Sequence, residues 1–166
     1  MATALLAAAV APPALAEVVT GTPGDDVLTG TVQADTMSGL AGDDQLFGFA
    51  GDDELYGGLG ADALYGGLGD DVMNGRRGAD SLYGRAGADT LSSGNDDRRD
   101  LLKGGPGPDK IYARGPDRVY GGDGNDTIIM VENIPRLEIW CGDGYDEVIW
   151  GHMDWPPTIM KNCEVP

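Results

Sequence analysis

One carboxylate recurs at a fixed offset along most of this chain, and its spacing suggests metal chemistry. From Gly39 to Ser92 the sequence reads GLAGDDQLF, GFAGDDELY, GGLGADALY, GGLGDDVMN, GRRGADSLY and GRAGADTLS without a slip. The sixth position holds Asp44, Asp53, Asp62, Asp71, Asp80 and Asp89, and the eighth holds Leu46, Leu55, Leu64, Met73, Leu82 and Leu91. With every recoverable copy counted, sixth-position Asp stands at thirteen places: 26, 35, 44, 53, 62, 71, 80, 89, 100, 109, 117, 126 and 146. Turns alone would not need Asp at one offset so often. Stacked ~4.8 Å apart, as neighbouring strands are, such carboxylates would repel by about 1 kcal/mol per pair even in water. A hard cation removes that penalty. Ca²⁺ accepts six to eight oxygens in a flexible geometry, whereas Mg²⁺ demands a stricter octahedron. Zinc would want His or Cys, and the chain has one His and two Cys.

The elements that must position these side chains follow from the same period. A nine-residue unit cannot bury its own apolar residue, so only stacking gives it a core. Gly at positions one, two and four permits φ > 0, which predicts a turn over the first six residues and an extended segment over the last three. In that segment the eighth side chain faces inward and the seventh and ninth outward. Two blocks with turns at opposite edges make an 18-residue coil. Parallel stacking then puts Asp26, Asp44, Asp62 and Asp80 in one column and Asp35, Asp53, Asp71 and Asp89 in the other. The expected fold class is all-β, with two thin parallel sheets of stacked short strands. Phe47, Tyr65 and Tyr83, at the ninth position, predict an aromatic ladder on one sheet, with Tyr56 and Tyr112 on the other. Such a ladder reads as cross-strand packing or as a platform for a polysaccharide or a cell-surface partner.

Composition narrows the partners. The chain carries 11 basic and 28 acidic residues, a net charge of −17, which argues against nucleic acid and anionic membrane surfaces. No Lys or Arg precedes Arg76. With 28 Gly and 7% aromatic residues, a conventional globular core is not expected. Residues 1–16, MATALLAAAVAPPALA, combine a short apolar run with an A-x-A-like ending, which reads as a secretory signal peptide; a disordered Ala/Pro-rich tail is the alternative. No apolar run approaches the ~20 residues of a membrane-spanning helix. A secreted, monomeric protein starting near Glu17 is the expectation.

GGLGADALY (57–65), GGLGDDVMN (66–74), GGPGPDKIY (104–112) and GGDGNDTII (121–129) resemble the glycine-rich nonapeptide of the haemolysin-type, or RTX, calcium-binding repeat. The resemblance covers roughly residues 21–129. It implies a right-handed parallel β-roll, with Ca²⁺ held between consecutive turns by the sixth-position Asp and by backbone carbonyls of the glycine turn. Matched residue by residue, the ligands are Asp44, Asp53, Asp62, Asp71, Asp80, Asp89, Asp109 and Asp126. The two earlier blocks add Asp26 and, beside the irregular Gln33, Asp35. Asp100 and Asp117 stand next to slips of the frame and are left out of the set. Better-known family members carry such repeats behind a protease, lipase or toxin domain, so an accessory role beside a secreted hydrolase or toxin is one alternative function.

Residues 17–129 are thus expected to form the roll and residues 130–166 a C-terminal cap with a partial repeat, CGDGYDEVI from Cys141. A solenoid needs such a cap, with Trp140, Trp150 and Trp155 supplying bulk. Cys141 and Cys163 are the only cysteines, and in an exported chain they have one intramolecular pairing available; free thiols or an intermolecular bridge are the alternatives. His152, two residues from Asp154, could form an acid/base pair. No nucleophile motif or second His accompanies it, and the chain reads as a calcium-binding protein without catalysis.

Overall fold

Each block folds as a strand and a tight turn, but the boundary differs from the expected one. The computed structural model describes residues 15–131, 137–150 and 159–163, with backbone only at Trp150 and Ile159. Its strands in chain order are β1 (Val18–Thr20), β2 (Val27–Thr29), β3 (Thr36–Ala41), β4 (Gln45–Ala50), β5 (Glu54–Leu59), β6 (Ala63–Leu68), β7 (Val72–Arg77) and β8 (Ser81–Ala86). There follow β9 (Thr90–Ser92), β10 (Leu101–Pro106), β11 (Lys110–Ala113), β12 (Arg118–Asp123), β13 (Thr127–Met130), β14 (Glu138–Asp143), β15 (Glu147–Trp150) and β16 (Ile159–Lys161). A full strand takes positions seven to nine of one block and one to three of the next, leaving only positions four to six for the turn. The glycines at positions one and two therefore lie within strands. Position four does adopt φ > 0, as at Gly42, Gly51 and Gly60.

Odd-numbered strands form one eight-stranded parallel sheet and even-numbered strands the other, each in sequential order. No helix occurs among the described residues. This is the parallel β-roll that the resemblance implied. The register aligns like positions of successive coils, for instance Leu46 with Leu64 and Leu64 with Leu82. Two looped-out residues after Ser92 change the offset without breaking the stack, so that Leu102 pairs with Leu82 and Ile111 with Leu91.

The core is mainly a file of inward eighth-position side chains contributed in turn by the two sheets, joined towards the C-terminal end by Ala113, Met130, Leu137 and Cys141. Met37, Leu46, Leu55, Leu64, Leu82, Leu91, Leu102, Ile111, Val119 and Ile128 are all fully buried, each stabilising the fold by about 1.5–3 kcal/mol relative to exposure. Past residue 129, β14, β15 and β16 add to the same two sheets. Trp140 does not cover the apolar file: it sits on the outer face, stacked on Tyr120 with centroids 4.6 Å apart. The ninth position of a strand points away from the core, and Trp140 obeys that alternation. Trp155, His152, Asp154 and nearly all of the expected signal peptide fall outside the described residues.

Candidate metal centre

The turns present their sixth-position carboxylates in two buried ladders. Beside the first sheet run Asp35, Asp53, Asp71, Asp89, Asp109, Asp126 and Asp146; beside the second run Asp26, Asp44, Asp62, Asp80, Asp100 and Asp117. All except Asp26, which is half-buried, are buried. In each ladder the backbone N–H of one Asp donates to Oδ1 of the Asp one coil later: Asp44 to Asp62 at 2.9 Å, Asp53 to Asp71 at 2.9 Å, Asp62 to Asp80 at 2.9 Å. The links cross the frame slip intact, from Asp80 to Asp100 and from Asp100 to Asp117. The structure thus brings every expected residue into one of two rows. It also adds Asp100, Asp117 and Asp146, which the sixth-position count contained but the ligand set omitted.

The second oxygen of these carboxylates is the chemically open one. Oδ2 of Asp44, Asp53, Asp62, Asp71, Asp80, Asp89, Asp109, Asp126 and Asp146 is buried and accepts no hydrogen bond. A buried acceptor without a partner costs about 1–3 kcal/mol, so nine of them in two rows call for a donor or a cation. This oxygen also explains the first glycine of each block. A Cβ at Gly39 would lie 2.8 Å from both the Asp44 carboxyl carbon and the Gly57 carbonyl oxygen, although Gly39 is not among the residues with φ > 0. Position one is glycine for space, not for backbone freedom.

Three turns satisfy their own carboxylate instead. Oδ2 of Asp26 accepts from the Thr22 amide at 2.6 Å and the Thr22 hydroxyl at 3.0 Å. Oδ2 of Asp35 accepts from the same groups of Thr31, at 2.5 and 3.0 Å. Oδ2 of Asp117 accepts from the Arg114 amide at 3.0 Å. The signal was present in the sequence as Thr at position two of the first two blocks only.

Electrostatics divide the same groups. Burial is the leading cause that raises the carboxyls of Asp44 and Asp53, aided by neighbouring aspartates. It takes Asp62, Asp89, Asp117 and Asp126 to about 6, Asp71, Asp80 and Asp109 to about 7, and Asp100 to about 8. At Asp35 burial also pushes upward, but hydrogen bonds from the Glu17 amide and from Thr31 outweigh it and hold the carboxyl below its ordinary value.

A further ladder, missed from sequence, runs along the fifth position in the opposite sense. Asp43 Oδ1 accepts from the Ala61 amide at 2.8 Å, Asp52 Oδ1 from Asp70 at 2.9 Å and Asp70 Oδ1 from Ala88 at 2.7 Å. These exposed carboxylates close the outside of each turn while the sixth-position ones line its inside. The recurrence of Asp at position five, in Asp25, Asp43, Asp52 and Asp70, was the available signal.

Among the described residues no three His, Cys, Asp or Glu side chains converge on a point. A cation here would take its oxygens from two carboxylates and from turn carbonyls, a donor set that suits calcium and fails zinc. The unpartnered inner oxygens fit such an ion. No curated protein matches this chain. The RTX calcium-binding nonapeptide repeat matches it in four copies, over residues 15–46, 29–64, 65–98 and 94–128. With its carboxylate rows, its glycine spacing and its β-roll all in one frame across most of its length, the chain belongs to the RTX calcium-binding nonapeptide repeat family.

Proposed function

We propose that this protein is an exported calcium-binding roll that folds as it takes up several Ca²⁺ ions along both edges. The observation that carries the reading is the set of nine buried aspartate oxygens without a partner. Asp44, Asp53, Asp62, Asp71, Asp80, Asp89, Asp109 and Asp126 would hold the ions, joined by Asp146. Bound calcium supplies the positive charge that lets these carboxylates ionise inside the protein. Asp26 and Asp35 belong to the same rows, but Thr22 and Thr31 already occupy their inner oxygens and make them the weakest candidates. A β-roll of this family is a structural calcium-binding fold, and the reading contains no catalytic step. The reading as a saccharide platform loses support from geometry. Phe47, Tyr65 and Tyr83 stack face to face, 4.8 and 5.0 Å apart, so their faces are spent on one another.

Substitution of single aspartates tests the assignment. Asp62→Asn and Asp71→Asn should each weaken calcium binding, by roughly tenfold at the affected site for one lost charge-assisted contact. Asp35→Asn should leave it nearly unchanged. Isothermal titration that gave equal losses for all three would remove the basis for the assignment.

Without calcium the pH dependence should be opposite to that of a protein held by salt bridges. Unfolded Asp titrates near 3.9, whereas the folded carboxyls of Asp62, Asp71, Asp80 and Asp109 titrate at about 6 to 7. The folded state therefore binds more protons between about pH 4 and about pH 7, and its stability falls as pH rises through that window. Chelated protein should melt higher at about pH 5 than at about pH 8. A melting temperature that rises with pH in chelator would contradict the burial of protonated carboxyls.

A further inference from the structure

Position two of the block is glycine in the most regular copies, yet four large side chains stand there in a left-handed backbone. Leu40, Phe49, Arg76 and Arg85 have φ of 79°, 75°, 74° and 82°. Side chains rarely adopt this region, and strain kept at several related positions points to a use. The four are placed identically on the two faces. On one sheet Leu40, Gly58 and Arg76 are register partners in three successive coils; on the other, Phe49, Gly67 and Arg85 are. The middle glycine cannot be replaced. A Cβ at Gly58 would lie 2.7 Å from the Leu40 carbonyl carbon, and one at Gly67 would lie 2.7 Å from that of Phe49.

The result is a pair of matching recesses, each with a glycine floor, an apolar wall and a guanidinium wall. One, of about 410 Å³, is lined by Leu40, Gly58, Leu59, Arg76 and Arg77, together with Asn95 and with Asn74, whose side-chain oxygen is buried without a partner. The other, of about 430 Å³, is lined by Phe49, Gly67, Leu68, Arg85, Ala86 and Pro106. Leu40, Phe49, Leu59 and Leu68 are 45 to 62% exposed, apolar surface that the roll itself never covers. Arg76 lies over the Tyr56 ring at 5.0 Å and Arg85 over Tyr65 at 5.5 Å, contacts that fix each guanidinium beside its recess. Among the described residues no carboxylate pairs with Arg76, Arg77 or Arg85.

We propose that the two recesses are binding sites for an alkyl carboxylate. The chain would lie on the glycine floor against Leu40 and Leu59, or against Phe49 and Leu68. The carboxylate would meet Arg76 and Arg77, or Arg85, whose planar forks match it. Charge complementarity selects this occupant. Within a chain of net charge −17 these are unpaired cations beside apolar surface, and a polyanion or an acidic protein surface would be repelled by the aspartate rows on either side. The site needs a folded roll but does not depend on which aspartates hold ions.

The test is titration of the full chain in calcium with octanoate, and with octyltrimethylammonium as the matched cationic amphiphile. Saturable binding of two octanoate molecules, without saturable binding of the cation, is expected. The double variant Arg76→Gly/Arg85→Gly relieves the backbone strain, so it should keep its calcium-dependent β-sheet signal while losing roughly tenfold in octanoate affinity. Leu40→Gly/Phe49→Gly removes the apolar walls at equally permissive positions and should weaken binding in the same direction. Absence of saturable octanoate binding, stronger binding of the cation, or unchanged affinity in both double variants would overturn the proposal. A concentration-dependent dimer that octanoate does not dissociate would assign the recesses to a second copy of the chain and overturn it as well.

Discussion

Chelation of calcium should unfold most of the roll. At ten times Kd one independent site adds ~1.4 kcal/mol, and half a dozen add about 8 kcal/mol, comparable with the whole stability of an ordinary domain, about 5–15 kcal/mol. The structure leaves nine buried aspartate oxygens unpartnered beside a core to which most coils contribute only two large apolar side chains, such as Leu46 and Leu55. Ionised at neutral pH without a cation, those rows oppose folding by desolvation and by mutual repulsion. The effect should be largest over the uninterrupted coils of β3 to β9. It should be smallest at the first coil, where Thr22 and Thr31 do for Asp26 and Asp35 what an ion would do elsewhere. Circular dichroism and thermal melting in calcium and in chelator check the expectation. An unchanged β-sheet signal and melting temperature after chelation would defeat both the folding role and the reading of the orphaned oxygens as ligands.

Much of this arrangement was legible because a strict period leaves few choices. Once Asp and Leu alternate at offsets six and eight, stacking fixes the columns, and both the pairing of Leu46 with Leu64 and the burial of Asp44 and Asp62 follow. Even the frame slip after Ser92 could be read, since Leu102 had to regain the eighth position to keep the file apolar. What escaped the sequence was set between coils, not within one. The first glycine looked like a turn residue, but its reason is the neighbouring carboxylate and the carbonyl of the next coil. The fifth-position ladder needs Asp43 to reach the amide of Ala61, one full coil away. Strand length was misjudged for the same reason: positions one to three pair with their counterparts above and below, as Leu40 does with Gly58, and nothing local to a nonapeptide reveals it. The ring stacking on the outer face was foreseen at Phe47, Tyr65 and Tyr83. Lys103, by contrast, continues the row between Tyr83 and Tyr120, 5.8 and 5.2 Å from their centroids, where the pattern by residue type suggested a gap.

Removing the Cys141–Cys163 disulfide should fray the last coil and leave the rest of the roll in place. Cys141 takes the first position of its block, which is glycine in most copies because the carbonyl of the following coil stands in the way; a Cβ at Gly104, for example, would lie 2.6 Å from the Gly121 oxygen. Among the described residues only β16 follows β14 in its sheet, its pairing ends at Trp140 with Lys161, and the Cys141 side chain bonds Cys163 just past that strand, with Cα atoms 5.2 Å apart. Cys141 is fully buried and Cys163 packs against the end of the apolar file, so the bridge closes the roll where stacking ends. A loop with a sequence separation of 22 contributes about 3 kcal/mol in the chain-entropy model. That stabilisation acts on β14 and β16, because the nearest-neighbour nature of a solenoid keeps it from spreading. Hydrogen exchange on Cys141→Ser/Cys163→Ser in calcium should therefore show faster exchange in β14 and β16 and little change in β3 to β8. Intact mass of protein recovered from the medium, before and after thiol labelling, reports whether the bridge is formed and whether the exported chain begins near Glu17. Free labelling of both thiols in the native protein, or loss of protection spread evenly along the roll, would contradict a disulfide-closed end.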